Sequence, residues 1–308
     1  MGMSKRKSTR KIVVLGSTNT DMVISGARIP VPGETVSGGA FLMNPGGKGA
    51  NQAVAVARLA AKRGTCTFIA KVGDDLFGRD TATRLKADGI AARLIVDPKN
   101  PSGTALILVD GKGQNCISVA LGANGTLSPE DIEPYSGEIA DAAALLMQLE
   151  TPIETVVRAA ETAHAAGVTV ILNPAPARKL PKALYPLIDW ITPNETEAEL
   201  LTGVKVTDAA SAAKATDILL KRGVKHVAIT MGAKGCWCGN CRKIYPCRKV
   251  KAVDTVAAGD TFNGAFAVAL TEGRSCHEAI AFAQKASAIS VTRRGAQSSV
   301  PFRREIGD

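Results

Sequence analysis

The 308-residue chain is 45% hydrophobic and 4% aromatic, enough for the core of one large α/β domain or two smaller ones. Its formal net charge of +10 sits in two places: residues 1–11 and 242–251 each hold five Lys or Arg and no acid, leaving 28 basic against 28 acidic residues elsewhere. A solvated basic tail over residues 1–10 and one basic hairpin account for the excess, which excludes the contiguous, aromatic-bearing stripe of a nucleic-acid surface. No apolar run approaches the ~20 residues of a membrane span, and the basic opening runs into a strand with no separate apolar segment, so a cytoplasmic protein is expected.

In chain order, Ile12 to Leu15 reads as a buried opening strand, and Ser17-Thr-Asn-Thr-Asp21 follows it. Asn19 and Asp21 lie two apart, so in an extended segment they share a face and could hold vicinal hydroxyls; a polar turn is the plainer reading. Thr35 to Met43 alternates with glycines and predicts an exposed strand. Pro45-Gly-Gly-Lys-Gly-Ala-Asn51 then opens a helix over Lys48 to Ala61. Gly46 and Gly47 suit a hinge or close ligand approach, but Lys48 comes too early for the phosphate-loop pattern and no hydroxyl follows it.

Strand Thr65 to Val72, helix Arg79 to Lys86 and strand Leu94 to Val96 continue the rhythm. Thr104 to Val109 and Asn115 to Ala120 flank Asp110-Gly-Lys-Gly113, a hairpin signal that interrupts it. A lid, a dimerisation flap and a plain edge hairpin all fit that excursion. After the helix start Ser128-Pro-Glu-Asp131, strands are expected at Ala143 to Leu149, Val168 to Asn173, Trp190 to Thr192 and His226 to Met231, with a helix at Thr207 to Lys221. Helices over Asp260 to Leu270 and His277 to Thr292 close the chain. The fold class is α/β: a mostly parallel central sheet covered by helices in three layers, plus a small β-sheet lid. Residues 11–308 form one domain on this reading, with lid strands from about 17–45 and 103–121.

Three further motifs follow strands. Glu150 ends a buried strand at its carboxyl end, where open α/β sheets place ligands; it could accept a hydroxyl or cap the next helix. Pro193-Asn-Glu-Thr-Glu197 opens a helix with an acidic first turn. Ile229-Thr-Met-Gly-Ala-Lys-Gly235 is a strand with a flexible turn, a weak signal alone. The organising stretch is Ala252 to Phe266. Ala257, Ala258 and Gly259 leave backbone N–H groups open at a helix N-terminus, a setting for a multiply charged anion, and Asp260 stands where it could take a hydroxyl proton. In isolation Asp260 would read as an ordinary dipole-stabilising carboxylate.

Of the seven cysteines, Cys236, Cys238, Cys241 and Cys247 crowd together. Their spacing lacks paired C-x2-C arms and falls on a predicted hairpin whose residues alternate between faces, so structural thiols are expected rather than a zinc site. His164, His226 and His277 lie far from the motifs and are read as structural.

Taken together, these segments resemble the ribokinase-like carbohydrate kinases from about residue 11 to 303, including Asn173-Pro-Ala-Pro-Ala-Arg178 and Thr292-Arg-Arg-Gly-Ala-Gln297. The resemblance implies ATP-dependent phosphorylation of the 5-hydroxyl of D-ribose by in-line transfer. It makes Asp260 the base and Ala257, Ala258, Gly259 and Asp260 the anion hole. Asn19, Asp21, Gly47, Lys48, Asn51 and Glu150 become sugar contacts. Asn194 and Glu197 arrange magnesium and the ATP phosphates. Asn194, Thr230, Gly232, Lys234, Gly235, Gly259 and Gln284 line the nucleotide, with Gln284 standing where the family has a histidine. Asp254, Val256, Ser290, Arg293, Gly295 and Ser299 match an activating potassium site. A homodimer through the lid is expected, with no nucleic-acid or membrane partner. A kinase for 2-deoxyribose, another sugar or a nucleoside such as adenosine shares the motifs. A catalytically silent sugar-binding regulator would not need Asp260 and Glu197 together.

Overall fold

The computed structural model describes residues 11–307, so the expected basic tail over 1–10 lies outside the described residues. In chain order the strands are β1 (Ile12–Leu15), β2 (Asn19–Ser25), β3 (Ala40–Gly46), β4 (Cys66–Gly73), β5 (Ala91–Asp97), β6 (Gly103–Val109), β7 (Asn115–Ala120), β8 (Ala144–Met147), β9 (Thr169–Leu172), β10 (Trp190–Ile191), β11 (His226–Thr230), β12 (Cys236–Cys238) and β13 (Lys243–Tyr245). The helices are α1 (Lys48–Leu59), α2 (Leu76–Ala87), α3 (Pro129–Ile132), α4 (Ser136–Ala140), α5 (Ile153–Ala165), α6 (Glu195–Thr202), α7 (Ala209–Lys221), α8 (Ala258–Thr271), α9 (Cys276–Ser290) and α10 (Arg303–Ile306).

A nine-stranded sheet in the order β13-β12-β11-β10-β9-β8-β1-β4-β5 forms the middle layer. It is parallel from β5 to β11, and only the hairpin β12–β13 at one edge runs antiparallel. The short apolar runs of β1 and β8 are fully buried because helices cover both faces. One buried cluster joins β1 and β4 to α1, α8 and α9; the other joins the opposite face to α5, α6 and α7. The strand order reverses beside β1: the chain moves outward through β4 and β5, then returns to β8 and runs out the other way. A crevice at the carboxyl ends of β1 and β8 is where such a sheet accepts a ligand.

Above those ends lies a separate four-stranded sheet, β3-β2-β6-β7. Here β2 pairs antiparallel with β3 and parallel with β6, and β6–β7 is the hairpin signalled by Asp110-Gly-Lys-Gly113. The expected strand from Thr35 begins only at Ala40, because Gly38 and Gly39 adopt φ of 95° and 104°, outside the extended range. No helix among the described residues is long and apolar enough to cross a membrane.

Candidate functional site

The carboxyl ends of β1, β8 and β9 and the N-termini of α1 and α8 meet beneath the small sheet. Helices α2, α6, α7 and α9 close their first turns with side-chain caps from Asp75, Asn194, Asp208 and Ser275. Helices α1 and α8 have none, and their N-cap residues, Gly47 and Ala257, both sit at positive φ, 86° and 58°. At α1 the surroundings supply partners: Lys48 N donates to Glu150 Oε2 at 3.0 Å and Ala50 N to Ser17 O at 2.8 Å. At α8 the Gly259 and Asp260 N–H groups meet no partner among the described residues, and a Cβ built on Gly259 would meet nothing within 4 Å. Two N–H groups at the positive end of a 14-residue helix are therefore left without a partner among the described residues. Ala257 is a non-glycine residue held in the left-handed region, the kind of local strain that clusters at working sites.

Asp260 is buried directly below that opening. Its Oδ2 accepts from Asn51 Nδ2 at 2.9 Å and its Oδ1 from Gln52 Nε2 at 3.0 Å. Burial raises its pKa, opposed by the Lys48 charge and by the Asn51 and Gln52 hydrogen bonds. Burial works against the Lys48 ammonium, but the field of Asp260, Glu150, Glu197 and Asp21 outweighs it and raises the Lys48 pKa. Gln52 also donates to Asn173 Oδ1 at 3.0 Å and accepts from Gln148 Nε2 at 2.6 Å, so the ends of β8 and β9 brace the carboxylate. Asn51 Oδ1 is buried with no hydrogen-bond partner, an acceptor held ready in a polar pocket.

The small sheet delivers the other predicted sugar contacts. Asn19 and Asp21 do share a face of β2, and Asn124 fixes Asn19 by donating to its Oδ1 at 2.8 Å. Burial, then the nearby Glu150 charge, lifts the Asp21 pKa from 3.8 to about 6. β3 crosses this carboxylate at Gly46, where an added Cβ would lie 2.2 Å from Asp21 Oδ2. At Gly47 the Cβ would also strike the Thr18 and Asn19 backbone at 2.7 Å, so both glycines are needed for the close crossing. Glu150 accepts from Ser17 Oγ at 2.5 Å, which ties the ends of β1 and β8 together.

On the other side of α8 the predicted residues are present, with more of their groups already engaged. Asn194 and Glu197 form a capping box: Asn194 Oδ1 accepts from Glu197 N at 2.8 Å, and Asn194 N and Nδ2 donate to Glu197 at 2.9 and 3.0 Å. Burial raises the Glu197 pKa, moderated by its backbone hydrogen bond with Asn194 and by Lys48. Thr230 bridges to Asn194, and Gly232–Lys234 forms a tight turn closed at Gly235. Lys234 Nζ donates to Thr207 O at 3.0 Å and Gln284 Nε2 to Tyr245 O at 2.7 Å, so both side chains brace neighbouring segments. Asp254 accepts from Val256 N at 3.0 Å and Gly295 N at 2.9 Å, joining the loop before α8 to the loop after α9. Ser290 and Ser299 are fully buried there, whereas the Arg293 guanidinium turns to Glu305 at 2.5 Å.

Ser17, Gln52, Asn124, Gln148 and Asn173 take part in this site without having been picked out by sequence reasoning. Gln148 stands two residues before Glu150, and a polar residue at the end of an apolar strand is the available signal. Among the cysteines, Cys236 is buried in the core and Cys247 donates to Ala233 O at 3.2 Å, so the four hairpin thiols do not form one cluster. Cys238 and Cys241 instead meet Cys276 from α9, a convergence that the hairpin argument did not anticipate.

The sequence matches the pfkB family carbohydrate kinases over residues 9–303. It is 47% identical over 299 residues to a ribokinase of Haemophilus influenzae, covering 96% of this chain and 97% of that one. It is 38% identical over 294 residues to a deoxyribokinase of Salmonella typhi, covering 94% and 95%. The solved structure of Arabidopsis thaliana ribokinase complexed with ribose and ATP superposes with a TM-score of 0.89 at 33% identity, covering 96% of this chain and 97% of that one. With a buried carboxylate beneath an open helix N-terminus and this agreement along the whole chain, the protein belongs to the pfkB family of carbohydrate kinases.

Proposed function

We propose that the protein transfers the γ-phosphoryl group of ATP to the 5-hydroxyl of D-ribose. The observation that carries this reading is Asp260: a buried carboxylate, braced by Asn51 and Gln52, at the first turn of α8 where two N–H groups stand open. Asn19, Asp21 and Glu150 offer acceptors to the secondary hydroxyls of the sugar, and Asn51 Oδ1 gains the donor it lacks. Asp260 orients the primary hydroxyl and takes its proton as the bond to phosphorus forms. Its raised pKa moves the base toward the pH at which it works. The N–H groups at Gly259 and Asp260 and the Lys48 ammonium stabilise charge on the transferring group.

Magnesium, when bound with ATP, neutralises phosphate charge. Asn194 and Glu197 fit a magnesium ion that keeps its water shell, because their carboxylate and amide oxygens already serve the α6 cap and retain lone pairs for water. The buried hydroxyls of Ser290 and Ser299, the Asp254 carboxylate and the backbone carbonyls of Val256, Arg293 and Gly295 would supply an all-oxygen set. That set fits a hard monovalent cation, and potassium held there would stiffen the loop leading into α8.

The test is phosphorylation of D-ribose, 2-deoxyribose and adenosine side by side, with magnesium and with or without potassium. Preference for ribose, raised by potassium, supports the assignment. Preference for deoxyribose keeps the mechanism and moves the substrate to that of the Salmonella relative. Activity on adenosine alone overturns the sugar pocket, and ribose binding without turnover points to a silent regulator.

A further inference from the structure

Cys238, Cys241 and Cys276 place their Sγ atoms within 4.8 Å of one another at the edge hairpin β12–β13, and none of the three is among the residues assigned to sugar or nucleotide. Cys238 and Cys241 form a single C-x2-C arm around the hairpin turn, which Arg242 completes at φ 49°. The third sulfur comes from another element: Cys276 is the first residue of α9, and its Sγ lies 2.9 Å from Cys238 Sγ. Burial grades outward from Cys238, which is fully enclosed, through Cys276 to exposed Cys241. The cluster therefore has a dry floor and an open mouth.

The first turn of α9 presents its positive end at Cys276. Tyr245 lies on the same hairpin, with the His277 ring stacked 4.7 Å away and the Lys243 ammonium 5.7 Å from its ring centre.

We propose that these three cysteines form a binding site for a thiophilic d10 cation of the zinc class, with water in the fourth position at the exposed mouth. Three sulfurs converging from two elements supply the thiolates that a borderline-soft cation prefers to oxygen, and a tetrahedral ion would part the Cys238 and Cys276 sulfurs from 2.9 Å to roughly 3.8 Å. Binding replaces the thiol protons with the metal, so up to three protons are released per ion. The resulting excess negative charge lies next to Lys243 and the helix N-terminus. The ion would clamp β12–β13 onto α9, the same pair of elements that Gln284 joins through Tyr245 O at 2.7 Å.

The experiment uses the tag-free full chain, reduced and then freed of metal, titrated with zinc against a chromophoric chelator and with cobalt in the spectrophotometer. One zinc per chain is expected, with a cobalt spectrum showing thiolate charge transfer. Cys241→Ser, at an exposed position, and Cys276→Ser should each weaken zinc binding by more than the ~10–100-fold that loss of an outer-shell partner costs. Cys116→Ser, an exposed cysteine on β7, should leave it unchanged. Zinc uptake equal in the parent and in Cys241→Ser overturns the proposal, as does a fully reduced chain that binds no zinc. A Cys238–Cys276 disulfide found by mass spectrometry in a chain that takes up no zinc after reduction would reassign the cluster to redox chemistry.

Discussion

At the scale of single residues, the site depends on carboxylates kept in the right protonation state by burial and by one lysine. Asp21 is the clearest case. Its unfolded carboxyl titrates near 3.8 and its folded one at about 6, so the folded chain binds the extra proton between those values. The stability this contributes is fully present below the unfolded value and is lost as pH rises through about 6. Asp21→Asn should therefore flatten the fall in melting temperature across that window, and an unchanged pH slope would rule out Asp21 as its source. The same residue should make sugar binding pH-dependent: the ionised carboxylate accepts hydroxyl hydrogens with both oxygens, so the KM for ribose should fall as pH rises through about 6 in the parent and not in Asp21→Asn.

At the scale of elements, the active geometry rests on the packing of α1 against α8. Gly264 on α8 lies so close to α1 that an added Cβ would come 2.5 Å from Ala55 Cβ and 2.8 Å from Gln52 O. Gly264→Ala should cost about 1–3 kcal/mol of stability by overpacking. It should also lower kcat more than it raises KM for ribose, since Gln52 and Asn51 hold Asp260 from that helix; denaturant melts and steady-state kinetics read the two effects. This level of organisation is also where sequence reading reached its limit. Asn19, Asp21 and Asp260 were legible because each lies in a local pattern, after a strand or at a helix start. The Gln148–Gln52–Asn173 bridge was not, because its members are 96 and 121 residues apart and only the sheet order brings them together. The convergence of Cys276 on Cys238 and Cys241 was not legible for the same reason, with Cys276 lying 38 residues beyond Cys238. Strand β3 shifted because two positive-φ glycines override an alternating pattern.

For the whole molecule, the alternation of strands and helices carried the three-layer fold, while the second sheet emerged from segments 19–46 and 103–120 that pair far apart in sequence. In that sheet Ile24, Phe41, Met43 and Leu106 share the face opposite Asp21, and all four are exposed. Such a patch on a lid with free edges supports a dimer formed by two lids. Phe41→Glu should shift the protein toward monomer in sedimentation velocity; a parent that is already monomeric, or a variant dimer as tight as the parent, would rule that surface out. Asp260 as the base is tested most directly by the kcat for ribose phosphorylation of Asp260→Asn, with its fold checked by melting. The variant should lose about 10²–10⁴-fold in kcat with ribose still bound. A folded variant that keeps most of the parent rate would contradict it.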